Sequence, residues 1–69
     1  MTVNRDENGF GVEVREHESG WRVAIADPTG AVVSERACSD HPEARTYAST
    51  VRQHVYWLSA ERFREYYRL

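Results

Sequence analysis

The sequence predicts an α+β domain: a three-stranded antiparallel β-meander packed on one long α-helix, with a short C-terminal aromatic helix. Three observations predict it. Apolar residues alternate with polar ones at Val12 and Val14 and again at Trp21, Val23 and Ile25, the period-2 mark of half-buried strands. Two compact turn signals, Glu18-Ser19-Gly20 and Asp27-Pro28-Thr29-Gly30, connect neighbouring strands directly. From Ala44 onward the apolar spacing changes to three and four residues, as one face of a helix requires.

Residues 1–9 lack apolar periodicity and read as a flexible N-terminal segment, which leaves 10–69 as a single domain. The first strand opens after Gly9-Phe10-Gly11, a glycine pair that runs into a strand and not a helix, and so is no phosphate loop. In the second strand Trp21, Val23 and Ile25 face one way while Arg22, Ala24 and Ala26 face the other. The third runs from Ala31 to about Cys38, but Ala31-Val32-Val33 breaks the alternation and leaves open which valine faces the core.

Ser39-Asp40-His41-Pro42-Glu43 is a helix start: Asp40 caps, Glu43 closes a capping box and Pro42 is tolerated in the first turn. The helix from about His41 to Trp57 buries Ala44, Tyr47, Ala48, Val51, Val55 and Leu58 on the Trp21/Val23/Ile25 face. A second stripe, Tyr56, Ala60, Phe63 and Tyr67, points nearly opposite Leu58 on a continuous helix. Either the chain breaks at Ser59, a second N-cap, and folds back, or a long helix projects an aromatic face that a second copy would cover.

Composition bounds the function. With 69 residues, 41% of them apolar, the chain holds one small core and little material for a water-excluding pocket. No apolar run approaches the length of a membrane span and the N-terminus is polar, so neither a transmembrane helix nor a secretory signal is expected. The single cysteine, Cys38, makes no intrachain disulfide, which fits a cytoplasmic protein. Residues 1–43 carry nine acids against four arginines, a net −5, and residues 44–69 two acids against five arginines, a net +3. Such a split steers partners to one side.

Chemical constellations are sparse. Cys38-x-x-His41, with His17 and His54 elsewhere, lacks the second paired motif of a zinc site, and Cys38 at the end of an apolar strand reads as a small hydrophobe. Cys38 with His41 or His54 and Asp40 has the residue types for acyl transfer but no oxyanion loop. We therefore expect no catalytic residues, no metal, no cofactor and no small-molecule substrate. Arg15, Arg22 and Arg36 offer a nucleic-acid alternative if all three project from the exposed sheet face, since a sheet can present arginines to base edges. Glu13 shares that face and Glu16, Glu18, Asp27 and Glu35 surround it, so pairing with glutamates is the stronger expectation.

Gly20-Trp21-Arg22-Val23-Ala24-Ile25, then Asp27-Pro28-Thr29-Gly30, then Ser39-Asp40 leading into Glu43-Ala44, resembles the hairpin, turn and helix opening of HicB-type antitoxins. The span from 12 to 55 also resembles the small YegP-like domains. The resemblance implies a bacterial or phage-like, non-catalytic protein that acts by covering a partner. HicB-type proteins follow the helix with a further strand and a DNA-binding segment, where this sequence has Ser59 to Leu69. The expected function is thus a small non-catalytic binding or regulatory protein, working through a protein interface formed by its C-terminal aromatic helix, as a homodimer or as an antitoxin-like or inhibitor-like partner. The expected interface residues are Tyr56, Trp57, Phe63, Tyr66 and Tyr67, rimmed by Arg62 and Arg64, because aromatics beside arginines dominate interface cores.

Overall fold

The computed structural model describes residues 8–69. In chain order these form β1 (Gly11–His17), β2 (Gly20–Ala26), β3 (Val32–Cys38), α1 (His41–Trp57) and α2 (Ala60–Tyr67). The strands make one antiparallel sheet in the order β1-β2-β3. Residues 1–7 of the expected flexible segment lie outside the described residues, whereas Asn8 has a structural role. Its Oδ1 accepts from the Phe10 amide at 3.0 Å and its Nδ2 donates to the Leu58 carbonyl at 3.2 Å.

The β1–β2 hairpin turns at Glu18-Ser19 and closes on Gly20, whose φ of 144° suits glycine. A Cβ there would lie 2.9 Å from the Cys38 carbonyl oxygen, so close approach as well as conformation requires the missing side chain. At the β2–β3 turn the Asp27 carboxylate accepts from the Thr29 hydroxyl, the Thr29 amide and the Ala31 amide. The hydroxyl bond, reinforced by the two amides and the more distant Arg64, holds that carboxyl below its usual range.

A β-bulge explains the broken alternation of Val32 and Val33. Ala26 pairs with Val32 but Ile25 pairs with Ser34, so Val33 is the extra residue, and both valines are exposed. The bulge also sets the faces of β3. Arg36 pairs with Val23 and therefore lies on the helix-covered side, with its guanidinium 4.6 Å from the centre of the Tyr47 ring. The expectation that Arg36 joins Arg15 and Arg22 on the open face is thus corrected.

Helix α1 begins as the sequence requires, with Asp40 accepting from the Glu43 amide at 3.0 Å. Glu43 reaches one residue further back than a capping box does, accepting from the Ser39 hydroxyl and amide, and the hydroxyl bond in particular lowers its pKa. Ala44, Ala48, Val51 and Val55 are buried, and the two alanines bring the helix close to Val23 and Cys38.

The chain breaks where Ser59 predicts. Leu58 adopts an extended conformation, and the Ser59 hydroxyl caps α2 by accepting from the Arg62 amide. The helix folds back, and Phe63 is fully buried against Phe10 with ring centroids 4.6 Å apart. Phe10, Ile25, Val51, Val55 and Phe63 form one core cluster, with Tyr67 and Leu69 packed on its margin. Phe63 is accordingly removed from the expected interface: the reversal at Leu58 turns its ring into the domain's own core. At the far end Arg68 takes the left-handed conformation, its amide donating to Glu65 and that of Leu69 to Arg64.

Phe63→Ala should cost about 3–5 kcal/mol, a large share of the ~3–10 kcal/mol expected of a chain this size. Tyr66→Ala, on the outer side of α2, should cost less than about 1 kcal/mol. Urea unfolding of the two variants measures the difference.

Candidate functional site

Once α2 has folded back, the expected interface residues divide. Phe63 is interior and Tyr67 half-buried, whereas Tyr56, Trp57 and Tyr66 remain 60%, 76% and 63% exposed. The rings lie around the last turn of α1. Tyr66 packs on His54 with centroids 4.7 Å apart and the rings tilted by 55°, and Trp57 follows His54 by three residues, next to it on the helix surface. Tyr56 projects from the flank nearer β1, where Arg52, Val55 and Tyr56 border a shallow depression with Phe10 and Val12.

Beneath this belt the Tyr67 hydroxyl lies 2.6 Å from His54 Nδ1. Burial, with smaller contributions from Tyr47 and Tyr66, pushes the Tyr67 phenol up to about 12. The phenol hydroxyl and the imidazole Nδ1 share one hydrogen bond, whose donor is set by the tautomer of the ring. The pair thus fixes the ring against which Tyr66 packs. Tyr67 is a positioning residue of the belt and not part of its outer surface.

The two expected rim arginines also differ. Arg62 is exposed near the start of α2, while the Arg64 guanidinium sits 5.0 Å from the centre of the Phe10 ring and covers the core.

Along the flank of α1 nearer β1, Arg45, Ser49, Arg52 and Tyr56 follow one another at steps of four, three and four residues, and all four are exposed. Arg45, Thr46, Ser49, Thr50 and Arg52 line a shallow depression there. Arg52 directs one N–H to the Val12 carbonyl at 3.4 Å, which holds its side chain over the β1 edge. No acidic residue occurs between Glu43 and Glu61. Sequence reasoning counts these arginines only in the net +3 of residues 44–69; their alignment with Tyr56 is the signal it leaves unused.

The open sheet face is electrostatically closed on itself. Arg15 pairs with Glu13 at 2.7 Å and reaches Glu35 at 3.9 Å, and Arg22 meets Glu35 at 3.3 Å. These side chains screen Ala24, which is 2% exposed although it faces away from the helix. Two arginines and two glutamates leave this cluster without net charge.

The remaining candidates are scattered. Cys38 is buried, with its sulfur against the Arg36 carbonyl, and the His41 ring stacks on Trp21 with centroids 4.5 Å apart. His17 is exposed at the end of β1, and His54 is held by Tyr66 and Tyr67. Among the described residues, no group of three or more His, Cys, Asp or Glu side chains is arranged to hold a metal ion. No helix among them is long and apolar enough to cross a membrane.

The chain matches no family model, no curated protein and no solved structure. The likeness to HicB-type and YegP-like domains therefore rests on the residues quoted for it.

Because the Tyr67 pKa is raised in the folded state above its ordinary value of 10.0, its contribution to stability is intact below pH 10. It is lost as pH rises from there toward about 12, where the unfolded chain has already released the proton. A phenolate absorbance titration should show one tyrosine ionising late, at about 12, and Tyr67→Phe should remove that step. An unchanged titration in the variant would refute the assignment.

Proposed function

We propose that this chain is a small non-catalytic binding or regulatory protein that acts through a protein–protein interface made by the ring belt at the end of α1. The observation that carries the reading is the 76% exposure of Trp57, with Tyr56 and Tyr66 beside the same turn, in a domain whose core closes without them. Outside the core, these rings gain hydrophobic stabilisation when another surface covers them. Trp and Tyr are also the side chains most often found to dominate binding energy, because they bury large area with few rotatable bonds. A second copy, or a target held in the manner of an antitoxin or inhibitor, would serve as the partner.

The nucleic-acid alternative has less support. Its arginines on the open sheet, Arg15 and Arg22, are matched by Glu13 and Glu35, and the third, Arg36, lies on the other face over Tyr47. A polyanion approaching that sheet meets no net positive charge from the cluster to attract it.

The test is site-specific photocrosslinking in the source cell, with benzoylphenylalanine at position 57 and, as control, at Ala37 on the open sheet. A discrete, nuclease-resistant protein adduct formed from position 57 alone supports the reading. Nuclease-sensitive adducts, or equal labelling from both positions, refute it. Trp57→Ala should alter unfolding free energy by no more than about 0.5 kcal/mol while abolishing the association, whether seen as that adduct or as a dimer by light scattering.

A further inference from the structure

The flank of α1 nearer β1 carries information about the partner's charge, and the inference drawn from it rests on the protein-interface reading above. Arg45 and Arg52 are seven residues apart on one line of the helix surface, which places them about 10.5 Å apart along the axis. Tyr56 continues the line and Trp57 stands on the adjoining one. Ser49, Thr46, Thr50 and Gln53 supply neutral hydrogen-bonding groups between them, and the helix's only acid, Glu43, is tied to Ser39. The surface is thus a cationic strip ending in exposed aromatic rings, unlike the sheet face, where each arginine has a carboxylate at hand.

We infer that this strip docks an acidic amphipathic helix of a different protein, with carboxylates one heptad apart opposite Arg45 and Arg52 and apolar residues over Tyr56 and Trp57. The spacing follows from helix geometry, because residues i and i+7 of any α-helix are separated by the same rise as the two arginines. A second copy offering the same strip is disfavoured by charge, since an isologous pairing sets the arginines of each copy against those of the other. The negative end of the α1 dipole, beside Trp57, repels carboxylates there and directs them toward Arg45 and Arg52.

The experiment is fluorescence anisotropy on the full chain with three labelled probes. The first is a three-heptad amphipathic peptide with glutamate at one position per heptad and leucine on its apolar face. The second replaces each glutamate by glutamine, and the third is a single-stranded DNA of comparable length. The acidic peptide should bind about tenfold more tightly than its glutamine twin, as two exposed ion pairs allow. That advantage should disappear in Arg45→Glu/Arg52→Glu and shrink in Arg45→Gln/Arg52→Gln, with thermal melts confirming that both variants fold. Raising salt should erode it too.

Equal binding of the two peptides, preference for DNA, or binding of no probe each overturns the inference. The two readings fail separately: Trp57→Ala that leaves both peptide affinities intact removes the ring belt as an interface, while a charge preference insensitive to the arginines removes only the acidic partner.

Discussion

The contact between Phe10 and Phe63 is the constraint on which the rest of the molecule depends. A three-stranded sheet under a single helix leaves one end of its core open, because α1 crosses the sheet once and its buried residues end at Val55. Phe10 enters that end from the start of β1, and Phe63 enters it from α2. Each large apolar side chain buried there contributes roughly 1.5–3 kcal/mol, so the pair rivals the whole net stability of a chain this small. The reversal that delivers Phe63 exposes a backbone carbonyl at Leu58, and Asn8, two residues before Phe10, supplies its donor. The same short segment that fills the core thus also satisfies the break that lets the core be filled.

How much of this was legible in the sequence follows from the range of the interactions that decide it. Period-2 alternation at Val14 and Trp21–Ile25, the Asp27-Pro28-Thr29-Gly30 turn, and the Asp40 and Ser59 caps are local signals, and each appears in the structure where the pattern puts it. The β3 bulge was visible only as a failed alternation. Whether Val32 or Val33 is the extra residue depends on pairing with Ala26 and Ile25, a non-local fact, and the orientation of Arg36 changes with it. Asn8 was unreadable for the same reason, since its partner lies fifty residues away. Of the expected interface rings, Tyr56, Trp57 and Tyr66 are exposed and Phe63 is buried, and the sequence had no means of separating Phe63 from Tyr66.

The charge asymmetry of the sequence becomes an asymmetry of faces. The acidic half of the chain is the half that makes the sheet, and there Glu13 and Glu35 meet Arg15 and Arg22, so much of the charge is spent internally. The helical half has few acids to meet. Glu61 and Glu65 belong to α2, and among the described residues α1 itself carries no acid after Glu43 to accompany Arg45 and Arg52. Net charge alone, −2 for the whole chain, conceals this. At physiological ionic strength charges are screened over about 8 Å, and the domain is 19 Å across its narrowest axis. A partner on the helix side therefore senses the local arginines more strongly than the distant carboxylates.

That an interface candidate survives the closing of the core is a consequence of where the helix breaks. On an unbroken helix Tyr56 and Phe63, seven residues apart, would lie on one face and share one fate. The extended backbone at Leu58 uncouples them: α2 sets out in a new direction, Phe63 turns inward, and Tyr56 keeps the outward orientation that α1 gives it. Trp57 is left just before the break, on the side of α1 away from the sheet, and stays exposed. Tyr66 completes the belt because the turn that buries Phe63 and seats Tyr67 against His54 leaves the intervening position pointing out. The reversal that gives the domain a core of its own is therefore also what leaves Tyr56 and Trp57 of α1 and Tyr66 of α2 exposed around the end of α1.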